Sequence, residues 1–181
     1  MDIELKKMCK DDLEVLMNWR MKPEITKYMY TDPVLNMEKQ LKWYKKISDE
    51  NDSIYWVIHC NNTRIGDVSL HNIDYTNNRC DFAHSIGEDS FRGIGLGAIL
   101  EYNIYDYVFN QLNLNKICFQ VLSFNKRAIN LHKKLGANVE GILREHILKN
   151  GIYYDVVVMA ITKQRWNLIN KRIEYDKIYI E

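Results

Sequence analysis

The segment Ser90-Phe91-Arg92-Gly93-Ile94-Gly95-Leu96-Gly97-Ala98 holds three of the chain's eight glycines within five residues, and a long helical pattern follows at once. Glycine carries no Cβ, so the backbone there can come close to a ligand. A helix starting directly behind it turns unpaired N–H groups and a positive dipole end toward that ligand. The segment therefore predicts a sharp turn into a helix and a pocket for a phosphate or pyrophosphate.

Two familiar phosphate-binding patterns are poor fits. Gly93-x-Gly95-x-x-Ala98 formally matches the dinucleotide fingerprint. That fingerprint belongs in the first strand–helix turn of a fold, with an acidic residue about 20 positions on. Here it follows about 90 residues of other pattern, and Leu112 to Phe119 contains no acid. The Gly-Lys-Ser/Thr of a Walker loop is absent.

The rest of the chain reads as a folded domain of ordinary size, with 1–181 expected to form a single unit. A chain of this length buries roughly 70% of the surface its unfolded form would expose, enough for a core without staples. With 25 basic and 24 acidic residues, the balance gives no sign of a nucleic-acid or membrane-surface partner. Cys9, Cys60, Cys80 and Cys118 form no C-x-x-C pair and no zinc spacing with histidine, and read as reduced, mostly buried thiols. No metal is implied. The charged start, Met1 to Glu14, does not read as a signal peptide, and no apolar run nears the roughly 18 residues of a span. The expected setting is a reducing cytoplasm.

Periodicity and turn residues give the element order. Ile3 to Met8 predicts a strand, and Lys10-Asp11-Asp12 opens a helix that Pro23 stops. Asn36 is placed to cap a second helix carrying Met37, Leu41, Tyr44 and Ile47. Strands are predicted at 54–60, 64–73 and 79–86, with Asn61-Asn62 as a hairpin turn. A helix over 96–112, a strand over 117–122 and a helix over 128–135 ended by Gly136 follow. Two last strands, 139–149 and 153–161, flank Asn150-Gly151, a strong hairpin signal, and Trp166 lies in a final helix. The order β, α, α, three antiparallel strands, α, β, α, hairpin predicts an α+β (mixed α/β) domain rather than a doubly wound one. The tail, 168–181, is left as strand, docking segment or disorder.

Arg92-x-x-Gly95-x-Gly97 resembles the Arg/Gln-x-x-Gly-x-Gly/Ala motif of the GNAT superfamily of N-acetyltransferases. Three further segments agree in order: Asp81–Ile86, then Asn125-x-x-Ala128-Ile129-x-Leu131-x-x-x-Leu135-Gly136, then Gly141-x-Leu143-Arg144-Glu145 with Asn150-Gly151-x-Tyr153-x-Asp155. The resemblance covers about residues 3–167. It implies a central, mostly antiparallel twisted sheet flanked by helices, acetyl-CoA as cosubstrate, and direct attack of an amine on the thioester in a ternary complex.

On that resemblance the backbone of Arg92, Gly93, Ile94, Gly95, Leu96, Gly97 and Ala98 cradles the pyrophosphate. Ile86 offers main-chain groups to the pantetheine, and Asn125 hydrogen-bonds it or simply caps the next helix. A general base must take the amine proton, and His84, Asp81 and Glu88 are the candidates, His84 first. Asp81 and His84 differ by three, so a regular strand turns them to opposite faces. Many relatives place a tyrosine at the position of His132 as proton donor to the thiolate. His132 is either that acid or a packing replacement.

For the acceptor, Asn18-Trp19-Arg20-x-x-Pro23-Glu24 is similar to the Trp-Arg-Asn-x-Pro-Glu pattern of enzymes acting on nucleotide-linked amino sugars, notably those of the flagellin-sugar pathway. Arg20 then forks onto a diphosphate while Trp19, Tyr28, Tyr30 or Trp43 stacks on a base or sugar. Against this, Trp19 is equally placed as core and Arg20 as a surface cation. Polyamines and ribosomal-protein N-termini remain as acceptors, although Glu24, Asp32, Glu38 and Asp49 are scattered in the sequence. A non-catalytic acyl-CoA-binding module is the alternative of a different class, and a homodimer is left open.

Overall fold

The chain leaves its first strand, β1 (Ile3–Lys7), through a 3-10 turn at Lys10–Asp12 into helix α1 (Leu13–Arg20). The computed structural model describes Met1–Glu181. The remaining elements are α2 (Pro23–Thr26), α3 (Met37–Asp49), β2 (Ile54–Cys60), β3 (Thr63–Asp74), β4 (Arg79–Ile86), α4 (Leu96–Asp106), β5 (Lys116–Leu122), α5 (Lys126–Lys134), β6 (Asn138–Lys149), β7 (Ile152–Thr162), α6 (Lys163–Ile169) and β8 (Tyr179–Ile180). The fold class is the expected α+β. No helix is long and apolar enough to cross a membrane.

Packing groups the residues into two units. The first comprises Met1–Asn72, Ala83–Ile94 and Ile178–Glu181. Its strands lie in the order β8, β1, β2, β3, parallel between β8 and β1 and antiparallel in the other two ladders. Asn61 and Asn62 both adopt positive φ, 48° and 65°, which gives the tight turn the strand twist requires. Leu16, Trp19 and Ile25 from α1 and α2 bury against Val57, with Met8, Val15 and Met29 at the edge. Pro23 does not itself stop α1, which ends at Arg20; it opens α2, where its fixed φ and missing N–H suit the first helical position. The tail carries the end of α6 and a 3-10 turn at Asn170–Arg172 and finishes in a two-residue strand: β8 pairs with β1, and Trp56 Nε1 donates to the Glu181 carbonyl at 3.0 Å.

The second unit comprises Ile73–Phe82 and Gly95–Lys177. Here β4 and β5 are parallel over only three rungs, from Arg79↔Lys116 to Asp81↔Cys118. Past that point β5 runs on with β7 as its antiparallel partner, and β7 pairs in turn with β6 across the Asn150-Gly151 hairpin. α4 widens into a π-helix over Tyr107–Gln111, so the predicted 96–112 helix is one piece with two geometries. Its apolar side joins an aromatic core in which Tyr105 lies 5.4 Å from Trp166 and 6.3 Å from Phe119, centre to centre. Both Tyr105 and Trp166 are fully buried, each worth roughly 1.5–3 kcal/mol. The motif residues Arg144, Glu145 and Asp155 meet at an irregular rung: Asp155 accepts from the Glu145 N–H at 2.8 Å and from Arg144 at 2.6 Å.

Gly66 on β3 sits where a Cβ would overlap the Ser85 carbonyl oxygen, whereas nothing lies within 4 Å of a Cβ at Gly141. Gly66→Ala is expected to lose about 3 kcal/mol in urea unfolding, since backbone must move to admit the methyl. Gly141→Ala is expected to stay within about 0.5 kcal/mol. Equal effects would refute the close β3–β4 approach.

Candidate active site

The turn after β4 is built by Trp19, Glu88 and Arg92, for which ligand or catalytic roles are expected from the sequence, together with Lys22. Gly87 lies flat on the Trp19 ring, where any Cβ would overlap the indole. Trp19 Nε1 donates to Glu88 Oε1 at 2.6 Å, and Lys22 Nζ donates to the Gly87 carbonyl at 2.9 Å. Arg92 Nε donates to the Ile86 carbonyl at 2.9 Å, its Nη2 reaches the Gly87 carbonyl at 3.3 Å, and Nη1 pairs with Asp89 at 2.9 Å. Arg92 thus acts as a staple across its own loop. Its guanidinium and the Ile86 carbonyl are already engaged within the protein.

Gly95 stands at the start of α4 with φ 91° and ψ −2°, left-handed backbone that only glycine adopts at little cost. Gly93 has φ 85°. No side chain caps α4, and no atom lies within 4 Å of the Cβ position at Gly95. Space is therefore open beside the start of this eleven-residue helix, where no side chain takes the first N–H groups and Ala98 N–H donates to the Gly95 carbonyl at 3.1 Å. This suits a pyrophosphate, and the residues present fit one.

The other predicted residues separate into several sets. Asn125 Oδ1 accepts from the Ala128 N–H at 3.2 Å and caps α5, leaving its amide NH2 for a ligand. Asp81 sits at the last β4–β5 rung, opposite Cys118; burial first, and Asp81 second, push the Cys80 thiol up to about 12. His84 is half-buried further along β4. Glu88 is half-buried, with one carboxylate oxygen committed to Trp19. His132 is 6% exposed, and its Nδ1 lies 2.9 Å from Glu101 Oε1 and 3.0 Å from Oε2. Trp19 is 2% exposed and is a core side chain rather than a stacking platform. Tyr28 is 43% exposed, with Lys27 Nζ 4.8 Å from its ring centre, and Tyr30 is half-buried.

Arg20 is half-buried and donates through Nη2 to Thr31 Oγ1 at 3.2 Å, while its Nη1 is buried without a partner. Burial lowers its pKa, and the charges of Asp67 and then Asp32 oppose that drop. Asp67 Oδ1 in turn accepts from Ser85 Oγ at 2.5 Å. Burial raises the Asp67 pKa above the usual carboxylate range, with Ser85 and Arg20 pulling the other way. Asp67, Ser85 and Glu101 were not singled out from the sequence. The available signals were an Asp inside the apolar alternation Ile65 to Leu70 and a Glu on the apolar side of the helix after Leu96.

The family profile described as acetyltransferase (GNAT) domain matches residues 2–138. The chain belongs to the GNAT acetyltransferase family. The spermidine N(1)-acetyltransferase of Escherichia coli K12 is 26% identical over 164 residues, covering 91% of this chain and 88% of that protein. The solved structure of the spermidine N-acetyltransferase of Vibrio cholerae, in complex with CoA and spermine, superposes with a TM-score of 0.86 at 28% identity, covering 92% of this chain and 98% of that one. Acetyltransferase PseH of Campylobacter jejuni is 26% identical over 123 residues, covering 68% of this chain and 74% of that protein. This chain is an acetyl-CoA-dependent N-acetyltransferase with acetyl-CoA as cosubstrate.

In this acetyltransferase, Gly95→Trp is expected to raise the acetyl-CoA Kd at least about tenfold in calorimetry by filling the space before α4; an unchanged Kd would remove the pyrophosphate from that place. A second expectation concerns pH. The folded state keeps the Asp67 proton above the pH at which the unfolded chain loses it, so unfolding free energy falls as pH rises from about 4 toward the raised value. Asp67→Asn should flatten that part of the urea-stability profile, and an unaltered slope would contradict the assignment.

Proposed function

We propose that this enzyme moves acetyl from acetyl-CoA to a primary amine of a polyamine, by direct attack in a ternary complex. The observation that carries the reading is the likeness, over nine-tenths of the chain, to enzymes that acetylate spermidine. The site supports it. Asp32 and Asp67, scattered in sequence, both lie within electrostatic reach of Arg20, and a carboxylate neighbourhood of that kind suits a polycation. Asp32 is exposed and is the carboxylate available to a polycation, whereas burial favours the protonated form of Asp67.

In this reading the uncapped start of α4 holds the donor pyrophosphate, and the Asn125 amide meets the pantetheine arm. His84 is the first candidate to take the amine proton, with Asp81 and Glu88 behind it. His132 is the candidate to protonate the departing thiolate.

A nucleotide-linked amino sugar is the second reading. It is favoured by the partial likeness to PseH and by the Trp19-Arg20 motif. The structure weakens its physical basis, because Trp19 is core and Arg20 is half-buried beside Asp67.

Thiol release from acetyl-CoA should be measured with spermidine, spermine, nucleotide-linked amino sugars and N-terminal peptides of ribosomal proteins. Polyamine turnover is expected, with Asp32→Asn raising the polyamine KM about tenfold and sparing the acetyl-CoA KM. Turnover confined to an amino sugar or a peptide would discard the polyamine reading. CoA binding without turnover on any amine would favour a binding module.

A further inference from the structure

Glu101 is a charged residue with no exposed surface, on the core side of α4. Burying a carboxylate costs several kcal/mol unless partners compensate, and a well-packed apolar residue would fill the same space without that cost. Its partners are two. Tyr105 OH, one helical turn on, donates to Oε2 at 2.7 Å, and His132 Nδ1 from α5 hydrogen-bonds the same Oε2 at 3.0 Å and lies 2.9 Å from Oε1, which is buried and takes no hydrogen bond. Burial first, and the Glu101 charge second, hold the Tyr105 phenol well above its ordinary pKa, so Tyr105 remains a hydrogen-bond donor to the carboxylate.

The His132 ring is also held across its face. Phe119 on β5 lies 4.4 Å away, centre to centre, at 32°. An imidazole has two nitrogens, and a hydrogen bond at one assigns the role of the other. With Nδ1 given to Glu101, Nε2 is left without a protein partner, on a side chain that keeps 8% exposure. A tyrosine hydroxyl, which has a single reactive atom, would not need such an orienting group.

We propose that Glu101 is a positioning residue for acetyl transfer: it fixes His132 through Nδ1, so that Nε2 delivers the proton to the departing CoA sulfur. This rests on the reading of His132 as the acid. The amine nitrogen forms its bond to the thioester carbonyl carbon, and its surplus proton goes to the base or to water. His132 enters this step as the imidazolium, its Nδ1–H held by Glu101; the C–S bond breaks, the electron pair leaves on sulfur, and the Nε2 proton moves to that sulfur, leaving a neutral ring protonated at Nδ1. The products are an amide and CoA thiol, and solvent returns a proton to His132.

The test is a double-mutant cycle on the full-length enzyme with Glu101→Gln, His132→Gln and the double variant, reading kcat and the acetyl-CoA KM with the amine that wild type turns over. Glu101→Gln is expected to lower kcat on the order of 10²-fold, with the acetyl-CoA KM changed less than about threefold. In the His132→Gln background the same change should cost less than about threefold, because its target is gone. Equal losses in both backgrounds, or an unchanged kcat in Glu101→Gln, would overturn the proposal. A second readout needs no turnover. Wild type should show a low-field ring N–H proton in NMR that disappears in both single variants, and its absence from wild type would also refute the contact. Wild-type turnover is measured before any variant is made, so failure of the functional reading is seen separately.

Discussion

A helix that begins with no side chain on its first N–H groups is the constraint on which the proposed donor site of this chain depends. Such groups are costly when buried without a partner, so they must face solvent or a ligand. Three other helices are capped by side chains: Asn36 on α3, Asn125 on α5 and Thr162 on α6 each accept from a backbone N–H in the first turn. α4 receives no such cap and begins instead with Gly95 at φ 91°. Left-handed backbone at that position directs the chain into the helix while keeping side-chain atoms away from the opening. We propose that an anionic donor supplies there what a cap supplies elsewhere.

The loop before it is held by charge rather than by apolar packing alone. Lys22 and Arg92 both donate to the Gly87 carbonyl, and Glu88 takes the Trp19 N–H. These bonds use side chains that would otherwise read as ligand contacts. Two carboxylates lie deeper. Asp67 is set against Ser85 and the charge of Arg20, and Glu101 against Tyr105 and His132. Glu101 sets a carboxylate against His132, which has a candidate role in transfer, while Asp67 sets one against Arg20, an acceptor candidate.

Most of the fold was legible because its turns announce themselves. The asparagines and the glycine at 61–62 and 150–151 take the positive φ that tight hairpins demand. The π-widened end of α4 was not legible, because an apolar run gives no sign of where helical spacing changes. The tail strand depends on a partner more than 170 residues away, Lys7 N donating to Glu181 Oε2. The glycine turn was readable from local composition. The carboxylates were not, since Asp67 meets Ser85 across 18 residues and Glu101 meets His132 across 31. Trp19 shows the limit for the acceptor: its residue type suits stacking, yet Gly87 and Glu88, far along the chain, make it core. The support for a polyamine over an amino sugar follows from that burial, from the carboxylates near Arg20 and from the relatives.

The central claim is that the donor pyrophosphate binds at the start of α4. The most direct measurement is amide hydrogen exchange with and without CoA, read residue by residue by NMR. Protection confined chiefly to the amides of Gly93 to Ala98, and absent when pantetheine lacking the nucleotide diphosphate is used, is the predicted result. Exchange at those amides unaffected by saturating CoA would contradict the account.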